Sequence, residues 1–216
     1  MKQLLIIGAG GTGQDVAGFI SDINHEGPTY ECLGFLDDDT GKHGTEIGGY
    51  PVLGPLSSAA QHDDVSFANC LGSPRSFLRR EQRTRELGIG DESFETIIHP
   101  TAIVAAGSTV GQGCILYPFT HVGPGVELDQ QVLVLSHTVI HHHSHIGGFT
   151  IIASGCNISG DVRIGASCYL GAGSSIRDGL QVGERSLVGM GSAVIEDVQP
   201  GTVVAGVPAR FIRDSI

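Results

Sequence analysis

The densest group of chemically active side chains is a run of four histidines within five residues. It reads His141-His142-His143-Ser144-His145 and is followed by Ile146-Gly147. An imidazole titrates near neutral pH and can take a proton from an attacking nucleophile, so the run points to a general base. Solvent-facing positions also tolerate histidine, and this simpler explanation is favoured for His141, His143 and His145 taken one by one.

A metal site is another use for these histidines, because His121 and His137 could converge with them. Zinc sites need three or four ligands in a fixed geometry. No cysteine or acidic residue has the spacing of a partner ligand, so we expect no metal.

The second chemical motif is Gly8-x-Gly10-x-x-Gly13, which follows the apolar run Leu4–Ile7. Between a strand and a helix, this spacing lets the backbone approach a phosphate at the helix N-terminus. The next apolar run, 32–36, ends at Asp37-Asp38, where a ribose or base contact is expected. By itself the pattern suggests NAD, but fewer than 100 residues is short for a complete dinucleotide-binding fold.

Strand and helix signals alternate through this first part of the chain. Helical spacing of apolar residues predicts a helix from about Gln14 to Asn24, and a third strand covers 65–71. Ser73-Pro74 resembles the start of a basic helix from Arg75 to about Leu87. Its arginines are expected to form a solvated face, with Arg75 as the best phosphate ligand among them: Arg75, Arg79, Arg80 and Arg83. The alternation predicts a small parallel α/β sheet.

After about Ile97 the pattern changes to a period of six. Aliphatic residues occupy sixteen consecutive sixth positions, from Val104 to Val194. A mostly small residue lies two positions before each of them, and a glycine often follows. One such hexad cannot bury its own apolar face, so successive coils must stack into a parallel β-helix.

Composition narrows the class of protein. The chain has 216 residues, which is enough for one large or two small domains. It contains 33 glycines and has a formal net charge of −11. The acidic balance disfavours nucleic-acid and anionic-membrane binding. The N-terminal apolar run is too short for a secretory signal, and no run is long enough for a transmembrane helix. Five cysteines without a CxxC pair fit a reduced cytoplasm.

The hexads resemble the left-handed β-helix of the hexapeptide-repeat acyltransferases, in which three hexads form one coil. Gly206-Val207-Pro208-Ala209-Arg210 resembles the closing motif of that superfamily. Over nearly the whole chain, the sequence also resembles the NeuD/PglD-like sugar O- and N-acyltransferases. The segments that carry this resemblance are the glycine loop, 35–39, Gly49–Gly54 and Ile98–Ala102. This resemblance implies an α/β, Rossmann-like nucleotide-sugar-binding domain over 1–96 and a left-handed β-helix acyltransferase domain over 97–216. It also implies a homotrimer with active sites between adjacent β-helices.

The resemblance assigns the general base to His142, by alignment on Ile140 and Ile146-Gly147. The family's supporting carboxylate is replaced here by His143, and a family cysteine by Ser144. Since an imidazole cannot hold a negative charge, three explanations stay open. The carboxylate is dispensable, or Asp161, eighteen residues after His143 and hence one coil further, replaces it, or the activity is lost or altered. The catalytic candidates are therefore His142, His143 and Asp161.

The resemblance also gives ligand contacts. The substrate-binding candidates are Gly10, Gly11, Thr12, Asp37, Asp38, Gly72 and Ser73, although the family often has histidine in place of Thr12. The acetyl-CoA candidates are Gly160, Ala172 and Met190, and a further CoA-contacting histidine of the family aligns with Ile151. A backbone N–H near Gly160 could stabilise an oxyanion, or this glycine only turns a corner.

The expected activity is acetyl-CoA-dependent N-acetylation of a nucleotide-linked 4-amino-deoxysugar for surface-glycan synthesis, without a metal. Direct transfer is favoured because no cysteine in the catalytic stretch can carry the acyl group. The alternatives are O-acetylation of a sialic-acid-type sugar, a non-catalytic nucleotide-sugar-binding trimer, and an NAD-binding regulator.

Overall fold

The computed structural model describes residues 1–62 and 64–215, and the chain divides into two compact units. The first unit comprises Met1–Leu71 and Glu81–Pro100. The second comprises Gly72–Arg80 and the chain from Thr101 onward. The domain boundary expected after residue 96 stays a prediction.

The first unit contains a five-stranded sheet in the order β3 (Glu46–Ile47), β4 (Tyr50–Gly54), β2 (Tyr30–Leu36), β1 (Lys2–Ile7) and β5 (Ser66–Asn69). The strands β1, β2, β4 and β5 run parallel, and β3 pairs with β4 in an antiparallel hairpin. The strand β1 lies between β2 and β5, and its residues Leu4, Leu5, Ile6 and Ile7 are fully buried, which explains their uninterrupted apolar sequence. The elements up to residue 98 are β1 Lys2–Ile7, α1 Gly11–Glu26, β2 Tyr30–Leu36, β3 Glu46–Ile47, β4 Tyr50–Gly54, β5 Ser66–Asn69, α2 Arg80–Arg85 and β6 Ile97–Ile98, with 3₁₀ turns at Thr40–Lys42, Leu56–Gln61, Phe77–Arg79 and Asp91–Ser93.

The predicted basic helix is much shorter than expected. The α-helical part is Arg80–Arg85 alone, preceded by the 3₁₀ turn Phe77–Arg79. Ser73 begins a tight turn, because its carbonyl accepts the N–H groups of Ser76 and Phe77.

The prediction that Arg80 belongs to a solvated face is wrong, since this residue is only 1% exposed. Its guanidinium lies over the ring of Phe149, at 5.8 Å, and donates to the carbonyl of Gln131. A planar guanidinium can pack on an aromatic ring while its N–H groups bond the backbone, which makes this burial tolerable.

The second unit is the expected left-handed β-helix. The strands from β7 (Ile103–Val104) to β22 (Ala193–Val194) have two residues each and form three faces, in which each strand pairs in parallel with the strand eighteen residues away, as in His121 opposite Val139. The first face contains β7 Ile103–Val104, β10 His121–Val122, β13 Val139–Ile140, β16 Asn157–Ile158, β19 Ser175–Ile176 and β22 Ala193–Val194. The second contains β8 Thr109–Val110, β11 Glu127–Leu128, β14 His145–Ile146, β17 Arg163–Ile164 and β20 Gln181–Val182. The third contains β9 Ile115–Leu116, β12 Leu133–Val134, β15 Ile151–Ile152, β18 Tyr169–Leu170, β21 Leu187–Val188, β23 Thr202–Gly206 and β24 Ala209–Asp214. The longer β23 pairs in parallel with β21, and β24 pairs in antiparallel with β23.

The hexad aliphatics form the core of this unit. The fourteen from Leu116 to Val194 are buried, whereas Val104 and Val110 in the first coil are partly buried. Each buried aliphatic side chain contributes roughly 1.5–3 kcal/mol. The small residues two positions earlier also point inward. Most of those that carry hydroxyls donate to a backbone carbonyl, as Thr138 does to that of Ala153 at 3.1 Å, and this bond offsets the cost of burying the hydroxyl.

The corners have a regular backbone. Every sixth residue from Gly107 to Gly191 has a positive φ, between 54° and 82°. His143 and Asp161 occupy two of these positions, and both residue types are enriched among non-glycine residues in the left-handed region. The glycines that follow the aliphatics have a different cause. A Cβ at Gly147 would lie 2.5 Å from the backbone nitrogen of Ala166 on the next coil.

None of the helices in the described residues has the length and apolar character needed to cross a membrane.

Candidate active site

His142 lies at the corner between β13 and β14, and its ring fills space left by a glycine on the next coil. A Cβ at Gly160 would lie 2.3 Å from Cε1 and 2.6 Å from Nε2 of this imidazole. The eighteen-residue spacing thus brings Gly160 against the ring of His142. The structural reason for glycine here is room for the ring, and its role as an acetyl-CoA contact stays a prediction.

His143 and Asp161 complete a cluster with His142. The two Nδ1 atoms of His142 and His143 are 3.2 Å apart, and Oδ2 of Asp161 lies 3.9 Å from Nδ1 of His142. The backbone N–H of Asp161 donates to the carbonyl of His142 at 2.9 Å, which fixes the two coils in register at this point. The side chains of His142 and Asp161 are 52% and 65% exposed, so ligands can reach the cluster.

This arrangement can orient one imidazole as a base. A neutral imidazole carries one N–H and one lone pair. If Nδ1–H of His142 points to the lone pair of His143 or to the carboxylate of Asp161, the lone pair on Nε2 is free to accept a proton. A neighbouring acceptor would fix the tautomer and orientation of this imidazole, as a carboxylate does for the histidine of hydrolytic triads.

The other histidines have separate surroundings. His145 pairs with Asp129 at 3.1 Å on the second face, and His137 stacks on Phe119 with ring centroids 5.1 Å apart. Among the residues that the structure describes, the cluster able to offer three metal-ligand atoms is His142, His143 and Asp161, rather than a set that includes His121 and His137. The acidic member of this group is Asp161, the residue that the eighteen-residue period placed one coil beyond His143.

The glycine loop of the first unit leaves the N-terminus of α1 open. Gly10 is the N-cap residue, and a Cβ at Gly10 or Gly11 would have no neighbour within 4 Å. A Cβ at Gly13, in contrast, would lie 2.0 Å from the carbonyl oxygen of Gly8. Gly13 thus permits close packing of helix and strand, while Gly10, Gly11 and half-buried Thr12 surround a helix end suited to an anion.

Asp37 is already engaged with the protein backbone. Its carboxylate accepts the N–H groups of Ala9 at 2.8 Å and Asp39 at 2.9 Å, and Lys42 lies at 3.3 Å. Burial alone would raise the pKa of Asp37, but these N–H groups and the ammonium of Lys42 outweigh it and lower the pKa below its ordinary value. Asp37 therefore holds the glycine loop, whatever it contributes to a ligand.

Asp38 has similar partners. Its carboxylate accepts the N–H of Leu56 at 3.0 Å and pairs with Arg83. The sequence motif predicted the position of both carboxylates at the end of β2. It did not predict their contacts with Ala9, Leu56 and Arg83, which lie far from them along the chain.

Gly72 and Ser73 belong to the second unit, whereas the other substrate-binding candidates belong to the first. Gly72 has a φ of 125°, and a Cβ there would lie 2.4 Å from Cδ1 of Ile151. The hydroxyl of Ser73 lies 2.9 Å from that of Ser76. Both residues thus make contacts within the protein itself, and their contacts with substrate stay a prediction.

Ala172 and Met190 lie at a different corner from His142. They are in the segments between the third and the first face, whereas His142 and Gly160 are between the first and the second. Met190 is 79% exposed. Within one chain the three acetyl-CoA candidates thus occupy two corners of the β-helix.

The five cysteines are all free, and those of the β-helix are buried. Burial raises the pKa of Cys114 and Cys168 to about 11, so both thiols stay protonated at neutral pH. A protonated, buried thiol is a poor nucleophile, and these two cysteines are unsuited to carry an acyl group.

Comparisons with known families agree with the two-part organisation. A family model described as the PglD N-terminal domain matches residues 3–94, and one described as the GMPPB C-terminal domain matches residues 93–202. Among curated proteins, the acyl-[acyl-carrier-protein]–UDP-N-acetylglucosamine O-acyltransferase of Rhizobium johnstonii is 41% identical over 64 residues. That match covers 30% of this chain and about a quarter, 24%, of the relative.

Two solved structures match almost the whole chain. The acetyltransferase domain of PglB from Neisseria gonorrhoeae, in complex with acetyl coenzyme A, is 30% identical with a TM-score of 0.85, and the match covers 98% of this chain and 99% of that one. PerB from Caulobacter crescentus, in complex with CoA and GDP-perosamine, has the same fold at 22% identity, with a TM-score of 0.81 and 98% of each chain covered. The chain belongs to the PglD-like sugar acyltransferases of the hexapeptide-repeat superfamily.

Proposed function

We propose that the protein is an acetyl-CoA-dependent N-acetyltransferase that acts on the 4-amino group of a nucleotide-linked amino-deoxysugar. The acetyl complex of the PglB domain and the GDP-perosamine complex of PerB support the classes of donor and acceptor. The product would serve surface-glycan synthesis in the cytoplasm.

The observation that carries this proposal is the setting of His142. Its ring sits in the space above Gly160, and its Nδ1 faces His143 and Asp161. Nε2 is then the basic atom. A general base of this kind contributes about 10²–10⁴-fold to rate.

In the proposed reaction the amine nitrogen attacks the thioester carbonyl of acetyl-CoA. Nε2 of His142 takes a proton from that nitrogen as the C–N bond forms. The C–S bond then breaks, and the departing CoA thiolate receives the proton from His142. His143 and Asp161 act as positioning residues, because they hold Nδ1–H and so keep the lone pair on Nε2. The transfer uses neither a cysteine nor a metal.

We infer that the working unit is a homotrimer. Gly160 lies beside His142, whereas Ala172 and the exposed Met190 lie on another corner. An arrangement in which the two corners come from different chains would bring all three residues to one acetyl-CoA molecule. Active sites between adjacent β-helices satisfy this requirement.

The first unit would hold the nucleotide. The open N-terminus of α1 at Gly10 and Gly11 suits a diphosphate, because N–H groups and the helix dipole both favour negative charge. Asp37 would fix this loop through Ala9. Thr12, Asp38, Gly72 and Ser73 are the remaining proposed contacts with the nucleotide sugar.

Release of free CoA tests the activity. The protein is mixed with acetyl-CoA and a panel of UDP-, dTDP- and GDP-linked 4-amino sugars, with sialic acid in parallel. Release with one amino sugar, and an acetamide in the product by mass spectrometry, is the expected result. Release with sialic acid alone would replace N-acetylation by O-acetylation. If a trimeric sample binds a nucleotide sugar but releases no CoA with any acceptor, the non-catalytic binding protein is the better description.

A further inference from the structure

The cluster that surrounds the proposed base has the geometry of a metal site. Ligand atoms of His142, His143 and Asp161 all lie within 4.8 Å of one another. We propose that this cluster binds a divalent transition-metal ion, with Zn²⁺ as the reference case, and that the bound ion reversibly blocks the base. Metal binding at this cluster is independent of the proposed function, whereas inhibition by the metal rests on the proposed function.

The two imidazoles are already at the separation that a shared ion requires. Two nitrogens each about 2.0–2.1 Å from one tetrahedral zinc lie roughly 3.3–3.4 Å apart. The observed distance between Nδ1 of His142 and Nδ1 of His143 is 3.2 Å. The atoms that share one hydrogen in the free protein can therefore share a metal ion after little movement of either ring.

Asp161 supplies the third ligand. Its Oδ2 lies 3.9 Å from Nδ1 of His142, and its side chain is largely exposed. A rotation of this side chain can close the remaining gap, since it lies at the surface of a corner. Two imidazoles and one carboxylate form a common zinc ligand set, and water can complete the coordination.

The backbone holds these ligands before any ion arrives. His143 and Asp161 both have left-handed φ values, 56° and 58°, and the N–H of Asp161 bonds the carbonyl of His142. The ring of His142 is held against Gly160. A site whose ligands are already oriented loses little conformational freedom on binding.

Metal binding and base catalysis exclude each other at His142. When the lone pair of Nδ1 coordinates the ion, the ring hydrogen is on Nε2. Nε2 then has no lone pair with which to accept a proton from the amine. Saturating Zn²⁺ should therefore stop acyl transfer, and a chelator should restore it.

Binding is tested without any substrate. The protein of residues 1–216 is treated with a chelator, dialysed and titrated with Zn²⁺ by calorimetry, and with Co²⁺ by visible absorption. We expect one ion per chain and a tetrahedral Co²⁺ spectrum. His143→Asn and Asp161→Asn should each weaken binding at least tenfold, and asparagine tolerates the left-handed backbone at both positions. His141→Asn is the matched control, because it removes an exposed neighbouring imidazole outside the cluster.

Absence of saturable binding up to a millimolar concentration, or equal affinity in the His143→Asn protein, would overturn the site. Inhibition is a separate measurement, the Zn²⁺ dependence of CoA release in the presence of the accepted sugar. His143→Asn should need at least tenfold more Zn²⁺ for the same fractional inhibition. Full turnover with the site saturated would overturn the blocking role. If no sugar is accepted, the proposed function fails while the titration still decides the metal site.

Discussion

The carboxylate of Asp161 lies 3.9 Å from Nδ1 of His142, on the next coil of the β-helix. The backbone N–H of Asp161 also donates to the carbonyl of His142, so the two residues are joined through both main chain and side chain. The carboxylate of Asp161 thus approaches the imidazole of His142 from the neighbouring coil, while the adjacent sequence position is occupied by His143. The effect of Asp161 on turnover should therefore depend on the presence of the His142 imidazole.

Replacement of His142 should remove most of the activity and leave the fold intact. His142→Gln should lower kcat by about 10²-fold or more, because glutamine has no basic nitrogen. The KM for acetyl-CoA should change little, and the melting temperature should stay near that of the original protein because the ring is half exposed. Steady-state CoA release is the measurement, with His141→Gln as control. Near-normal turnover in the His142 variant would refute the assignment of the base.

The role of Asp161 can be separated from general structure by a double-mutant cycle. Asp161→Asn should lower kcat in the original protein and have little effect when His142 is already glutamine. Residues that act through one another typically show coupling of about 0.5–3 kcal/mol. Asp178→Asn is the control, since it changes an exposed acid at the same corner one coil further. Equal losses in both backgrounds would mean that Asp161 acts independently of His142.

Gly160→Ala should disturb the base directly. The added methyl group would lie within 2.9 Å of three atoms of the imidazole, and the half-exposed ring can move away from it. We therefore expect a loss of kcat with little loss of stability. In a His142→Ala background the same change should have no effect on the melting temperature, because the ring is absent. A Gly160→Ala enzyme with unchanged kcat would show that this ring position is not needed.

The hexad pattern predicted the β-helix because every coil repeats the same burial requirement. The positions of Gly160 and Asp161 relative to His142 and His143 followed from the same period, since eighteen residues make one coil. Burial of Arg80 was not predictable in this way. Its partners, Phe149 and the carbonyl of Gln131, belong to distant coils and no local pattern marks them. The same period predicted Asp161 as a replacement acid, but not as a metal ligand, because ligand sets are recognised in a sequence by short spacings.

Asp37 should make the free energy of unfolding depend on pH in the acidic range. Its pKa is lowered in the folded protein, because the N–H groups of Asp39 and Ala9 and the ammonium of Lys42 outweigh its burial. The folded state thus binds fewer protons than the unfolded state, and the stabilisation is present above an unfolded pKa of about 4 and lost as the pH falls through the folded pKa. Asp37→Asn should cost about 2 kcal/mol at pH 7, and less in strongly acidic solution. Urea unfolding at both pH values measures this difference, with Asp39→Asn as control. A cost that is independent of pH would contradict the charged role of Asp37.

Two glycines of α1 should respond to alanine in opposite directions. Gly13→Ala would place a Cβ 2.0 Å from the carbonyl oxygen of Gly8, so helix and strand must separate, and a cost of about 1–3 kcal/mol is expected. Gly18 lies in the same helix with no atom near its Cβ position. Gly18→Ala should stabilise the protein by about 0.5–1 kcal/mol, because alanine loses less backbone freedom on forming a helix. Urea unfolding of both variants measures the difference, and equal effects of either sign would show that close packing at Gly8 does not explain Gly13. If Gly13→Ala also weakens nucleotide-sugar binding while Gly18→Ala does not, the same contact that packs the helix also shapes the loop that receives the phosphate.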